Sequence, residues 1–121
     1  MELEDMERQN GKSAVNESGK EEIARICLKT HRQGKETLIA VCDTNLLGKE
    51  FREGNLHIEV NSDFYGEEEA SLSEVETALL GATMANFVGC KAVRHAILLG
   101  YVDEENVLSI DGILYAQMVR M

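Results

Sequence analysis

The chain has 121 residues, with 12 Lys and Arg against 22 Asp and Glu, for a formal net charge of −10. That length suits one domain, which buries roughly two-thirds of its unfolded surface without a metal or disulfide staple. So anionic a molecule is repelled by phosphate backbones and anionic membranes, with screening over about 8 Å, and any nucleic-acid contact has to be local.

Hydrophobic residues make up 44% of the chain and aromatics only 5%, with no Trp and no Pro, so the core is expected to be aliphatic. No apolar run approaches the roughly 20 residues needed to cross a bilayer. The acidic start "MELEDMERQ" is the opposite of a basic, apolar signal peptide. Cys27, Cys42 and Cys90 are odd in number and lack CxxC spacing, which points to reduced, mostly buried thiols and a cytoplasmic protein.

Residues 1–22 hold seven acids and three bases, with apolar residues at neither helical nor strand spacing. A mobile acidic tail is expected there, with a short helix near Glu2 to Gln9, ahead of one folded domain over 23–121. From Ile23 the pattern changes. "IARICLKT" and "TLIAVCD" are β-branched and apolar around "HRQGKE", which predicts a hairpin turning at Gly34, its second strand covered on both faces. "LHIEV" alternates cleanly, with His57 and Glu59 on the polar face. Ser71-x-x-Glu74 and Ser73-x-x-Glu76 both fit a capping box, so a helix carrying Leu72, Val75, Leu79 and Ala82 starts at one of them and runs toward Gly89. "CKAVRHAILLG" reads as a second short helix ending at Gly100. "NVLSI" and "ILYAQMVRM" flank the hairpin dipeptide Asp111-Gly112. The order β-β-β-α-α-β-β predicts an α+β fold. It has a largely antiparallel sheet, two short helices packed on one side, and hairpins at both ends of the folded region.

Chemistry is harder to find. His31, His57, His95 and the cysteines have no compact ligand spacing, so no metal site is read. Neither phosphate-loop nor dinucleotide fingerprint is present, and no cofactor is expected. Cys90 starts a predicted helix beside Lys91 and Arg94, where amide dipoles and cations favour a reactive thiolate. Its neighbour His95 falls on a different helical face, so a small enzyme centred on Cys90 lacks a base. "GEEEAS", with Glu67, Glu68 and Glu69, is a solvated charge run before a helix.

The strongest local signal is cationic. Lys29, Arg32 and Lys35, with titratable His31, crowd "KTHRQGK"; Lys49 and Arg52 flank Phe51 in "LLGKEFREG"; "DFYG" supplies Phe64 and Tyr65. Together with Arg94 these could hold single-stranded RNA through phosphate contacts and base stacking, provided the fold brings them to one face. Phe51 is expected to insert into the core.

The motifs "LLGKEFREG", "FYGEE", "ANFVG", "AVRHAI" and "AQMVRM", in that order, resemble the archaeal domain-of-unknown-function family 424 over roughly Ile23 to Met121. The resemblance implies an archaeal cytosolic protein of one domain, with no established activity, and by association a translation-related role. It also implies a glycine at position 67 and a Pro-His pair at 114–115, where this chain has Glu67 and Leu114-Tyr115. Three function classes follow. The first is a module contacting RNA or a ribonucleoprotein, and the second a protein-interaction module using the acidic tail or a sheet edge, with the terminal strand as first candidate. The third is a small enzyme near Cys90, and a non-enzyme is favoured. Oligomeric state is not read from the sequence.

Overall fold

The computed structural model describes residues 23–120, the side chains of residues 23 and 24 excepted. The tail over 1–22, with its expected helix near Glu2 to Gln9, lies outside the described residues.

Eight strands and three helices follow in the order β1 (Ile23–Gln33), β2 (Glu36–Asp43), β3 (Glu50–Glu53), β4 (Leu56–Glu59), α1 (Ser62–Tyr65), β5 (Glu69–Ser71), α2 (Leu72–Leu80), β6 (Met84–Val88), α3 (Cys90–Leu98), β7 (Leu108–Ile110) and β8 (Ile113–Val119). Six strands form one sheet in the order β5-β1-β2-β6-β8-β7, and β3 and β4 form a separate hairpin. All neighbours in the large sheet are antiparallel except β2 and β6, which run parallel. The fold is α+β.

Alternation along each strand divides the core between the two sheet faces. Ile39 and Val41 of β2, Phe87 of β6 and Met118 of β8 meet Val75 and Leu79 of α2 and Val93 and Ala96 of α3 on one face. Ala40 and Cys42 of β2 and Val88 of β6 meet Ile58 of the hairpin and Tyr65 of α1 on the other. Both longer helices therefore cover one side, while the hairpin and the single turn α1 cover the opposite one. Strand β2 is buried on both faces, which is why its apolar residues run consecutively.

Local signals set several boundaries. Ser71 accepts from the Glu74 amide at 3.1 Å while the Glu74 carboxylate accepts from the Ser71 amide at 2.8 Å, so the first of the two possible capping boxes starts α2. Asp111 and Gly112 both take positive φ, 52° and 81°, as a type I′ turn between β7 and β8 requires.

Three expectations are corrected. Strand β6 occupies residues read as the end of the first long helix, because α2 stops at Gly81 and the chain then enters the sheet. Strand β4 pairs only with β3, Phe51 opposite Ile58, so the cleanest alternating segment lies outside the main sheet. The terminal strand β8 is an interior strand, bonded to β6 and β7; the sheet ends instead at β5 and β7.

Candidate functional site

The cationic residues are carried by elements on different sides of the sheet. Along β1, Cys27 packs into the core under the hairpin and α1, while Ile26 and Leu28 pack on the helix side. Period-two alternation therefore puts Lys29 and His31 on the α1 side and Arg32 on the helix side. Lys49 and Arg52 belong to the chain entering and forming the hairpin. Arg94 is on α3, across the sheet. Lys35 sits in the β1–β2 turn.

Each group has its own surroundings. Lys29 Nζ donates to the Asp63 carbonyl at 2.8 Å, and His31 Nε2 lies 2.7 Å from the Phe64 carbonyl. The imidazole stacks on the Phe64 ring with centroids 4.9 Å apart, and Phe64 meets Tyr65 edge-on. Tyr65 itself is only 4% exposed, and burial pushes its hydroxyl well above the usual phenol range. Its ring is core and offers no face to solvent. Phe51 is half-buried against the core, as expected. Arg52 approaches Glu50 at 3.8 Å, and the same carboxylate oxygen lies 3.2 Å from His57 Nε2. Arg32, Lys35, Lys49 and Arg94 are exposed and have no ion-pair partner among the described residues.

The start of α3, the centre of the enzyme alternative, is already occupied by a carboxylate. Asp43, ending β2 and only 7% exposed, accepts from the Lys91 amide at 3.1 Å and the Ala92 amide at 2.9 Å. These amides are the groups that would otherwise attract an anion or thiolate. Gly89 must be glycine here twice over. Its φ is 109°, and a Cβ would fall 2.4 Å from the Asp43 carboxyl carbon. Cys90 is exposed at the helix start. His95 faces α2 instead, its Nε2 3.8 Å from Glu76. Cys90 and His95 are thus not brought together. Cys27 and Cys42 are buried register partners in β1 and β2, and burial raises the Cys42 thiol to about 12. Among the described residues no three His, Cys, Asp or Glu side chains form a group able to hold a metal. No helix among them is long and apolar enough to cross a membrane.

Among the described residues, the backbone leaves open the outer edge of β1. Strand β5 pairs with β1 only as far as Cys27↔Glu69, after a bulge between Ile23 and Ile26, whereas β2 pairs with β1 all the way from Ile26 to Gln33. Closure of the two-residue turn at Gln33↔Glu36 fixes which backbone groups face outward. In a two-residue hairpin the flanking pair is mutually hydrogen-bonded, and alternate residues turn their N–H and C=O away. Gln33, His31 and Lys29 therefore bond to β2, and Arg32, Thr30 and Leu28 face outward. The Leu28 carbonyl is shielded by Gly66, whose position leaves 3.1 Å between that oxygen and a notional Cβ. Thr30 and Arg32 have no strand beside them among the described residues. A depression of about 340 Å³ adjoins this edge, lined by Lys29, Asp63, Gly66, Glu67 and Glu68 among others.

Residues 31–121 match the family model described as "Protein of unknown function (DUF424)". The chain belongs to the DUF424 family. A solved structure, titled "Crystal structure of an uncharacterized conserved protein from Methanopyrus kandleri", is similar in fold. Its TM-score is 0.66 at 20% sequence identity, over 79% of this chain and 93% of that one. No curated protein matches the chain. The family resemblance read from the motifs is therefore correct, and DUF424 membership brings with it no activity.

The sequence pointed to side chains and missed the edge. Nothing in "LKTHRQ" says that β5 will stop at Cys27; the signal would have been an eleven-residue strand followed by a three-residue partner.

Proposed function

We propose that this DUF424 protein is a protein-interaction module that takes an extended segment of a partner onto the open edge of β1, from Thr30 to Gln33. One observation carries the reading: β5 ends its pairing at Cys27, while β1 continues for six more residues bonded to β2. An unpaired strand edge is a template for another strand, and proteins that do not use such an edge cover, shorten, bulge or charge it. Here the bulge lies at the other end of β1, under β5.

The distribution of cations favours this over an RNA-binding surface. Phosphate-led binding gains from several bases on one face. Lys29 and the hairpin's Lys49 and Arg52 lie on the α1 side of the sheet while Arg32 and Arg94 lie on the helix side, so the five do not share one face. The affinity expected of the edge is modest. Thr30 and Arg32 offer four backbone groups, each worth about 1 kcal/mol net in a hydrogen bond, so side-chain contacts must add to a millimolar-to-micromolar association.

Titration of isotope-labelled full chain with a panel of extended peptides tests the reading. The amide resonances of Thr30 and Arg32 are expected to shift first, and Thr30→Pro, which removes an outward N–H and no bond to β2, is expected to abolish the response. Shifts centred on Lys49 and Arg52, or salt-sensitive binding of single-stranded RNA that survives Thr30→Pro, would contradict it.

A further inference from the structure

Resting on the edge reading, we infer the chemistry of the partner: an extended segment, antiparallel to β1, whose N-terminal half is acidic and whose C-terminal half carries no carboxylates. An extended peptide beside β1 presents its side chains alternately to the two sheet faces. The cations of β1 do the same, with Lys29 on the α1 side and Arg32 on the helix side, and Lys35 follows at the turn. Lys29 is held by the Asp63 carbonyl, so Arg32 on the strand and Lys35 at the turn are the cations left to meet acids on an added strand. Arg32 and Lys35 are exposed without carboxylate partners among the described residues, so their charge is available to a ligand. Glu36, the pairing partner of Gln33, is the one acid in the turn, and it is on β2, one strand in from the open edge.

The other end of the open stretch has the opposite character. Gly66 lies against Leu28 and Lys29, and Glu67, Glu68 and Glu69 follow it into β5. The ammonium of Lys29 is turned to the Asp63 carbonyl there. Carboxylates arriving at this end would meet like charge, so the acidic half must lie over Arg32 and Lys35. The inferred strand continues the antiparallel sense of β5, so residues opposite Arg32 and Gln33 come first in the partner.

Three blocked octapeptides decide the matter when titrated into the labelled full chain at low salt: Glu-Glu-Glu-Glu-Val-Thr-Val-Thr, the reversed order Val-Thr-Val-Thr-Glu-Glu-Glu-Glu, and the first with glutamine for glutamate. The first is expected to bind at least tenfold more tightly than either control, with the Thr30 and Arg32 amides shifting. Arg32→Glu combined with Lys35→Glu is expected to invert the preference toward a lysine version. Equal binding of the glutamine peptide overturns the charge inference and leaves the edge reading standing. Tighter binding of the reversed peptide overturns the direction. No shift at Thr30 and Arg32 with any of the three overturns the edge reading itself.

Discussion

The Asp43 carboxylate reaches the Ala92 amide at 2.9 Å, so the last residue of β2 supplies the cap that starts α3. The link spans 49 positions of sequence and joins the carboxyl end of one parallel strand to the helix that follows the other. The Lys91 and Ala92 amides are both bound to that carboxylate, and Cys90 is exposed beside them.

Removing that cap tests its worth. Asp43→Ala leaves the amides of Lys91 and Ala92 without their acceptor, and a loss of roughly 2–3 kcal/mol is expected on general grounds for buried donors. Gly89→Ala should destabilise as well, by clash with the same carboxylate and by its positive φ. Urea unfolding of both single variants and the double checks the coupling. The double variant is expected to lose less than the sum, because the clashing carboxylate is gone. Strict additivity would show that the two residues do not meet.

The buried Cys42 thiol predicts alkaline instability. Burial, with Cys27 and Asp43 nearby, raises the Cys42 thiol from 9.0 to about 12, so the folded state keeps a proton that the unfolded chain releases. Stability from this group is complete below about pH 9 and declines as pH rises toward 12. Tyr65 is shifted in the same direction by burial and adds to the decline. Denaturation midpoints between pH 8 and 11 are expected to fall less steeply in Cys42→Ala than in the parent. Under native conditions at neutral pH one thiol per chain, Cys90, is expected to alkylate; mass spectrometry showing modified Cys27 or Cys42 would contradict their burial.

Acid acts through His95. Burial lowers its affinity for a proton below the usual imidazole range, with Glu76 opposing that shift from 3.8 Å. As pH falls below about 6.5 the unfolded chain takes up this proton first, so stability present above that value is lost on the way down. His95→Gln is expected to show a shallower loss between pH 7 and 5 in matched urea titrations. An unchanged slope would place the acid sensitivity elsewhere.

Much of the fold is legible because its signals are local. The turn at Gly34, the capping box at Ser71, the Asp111-Gly112 hairpin and the helix from Cys90 to Leu98 all depend on residues within a few positions of one another. Strand β6 escapes that reading. Ala82 continues the apolar spacing of α2, and Gly81 looks like a tolerated interior glycine until β2 is placed alongside, with Thr37 and Thr83 bonded across 46 positions. The edge of β1 is illegible for the same reason: an edge is the absence of a distant neighbour, and composition carries no trace of it. Side-chain charge was visible, but its division between faces required the register.

Amide hydrogen exchange along β1 in the unliganded full chain tests the open edge most directly. Because Lys29, His31 and Gln33 donate inward to β2 while Thr30 and Arg32 face outward, alternate residues are expected to differ, with Thr30 and Arg32 exchanging at least a hundredfold faster than His31. Uniform protection from Leu28 to Gln33 would mean that another strand already covers this edge, and the proposed binding site would not exist.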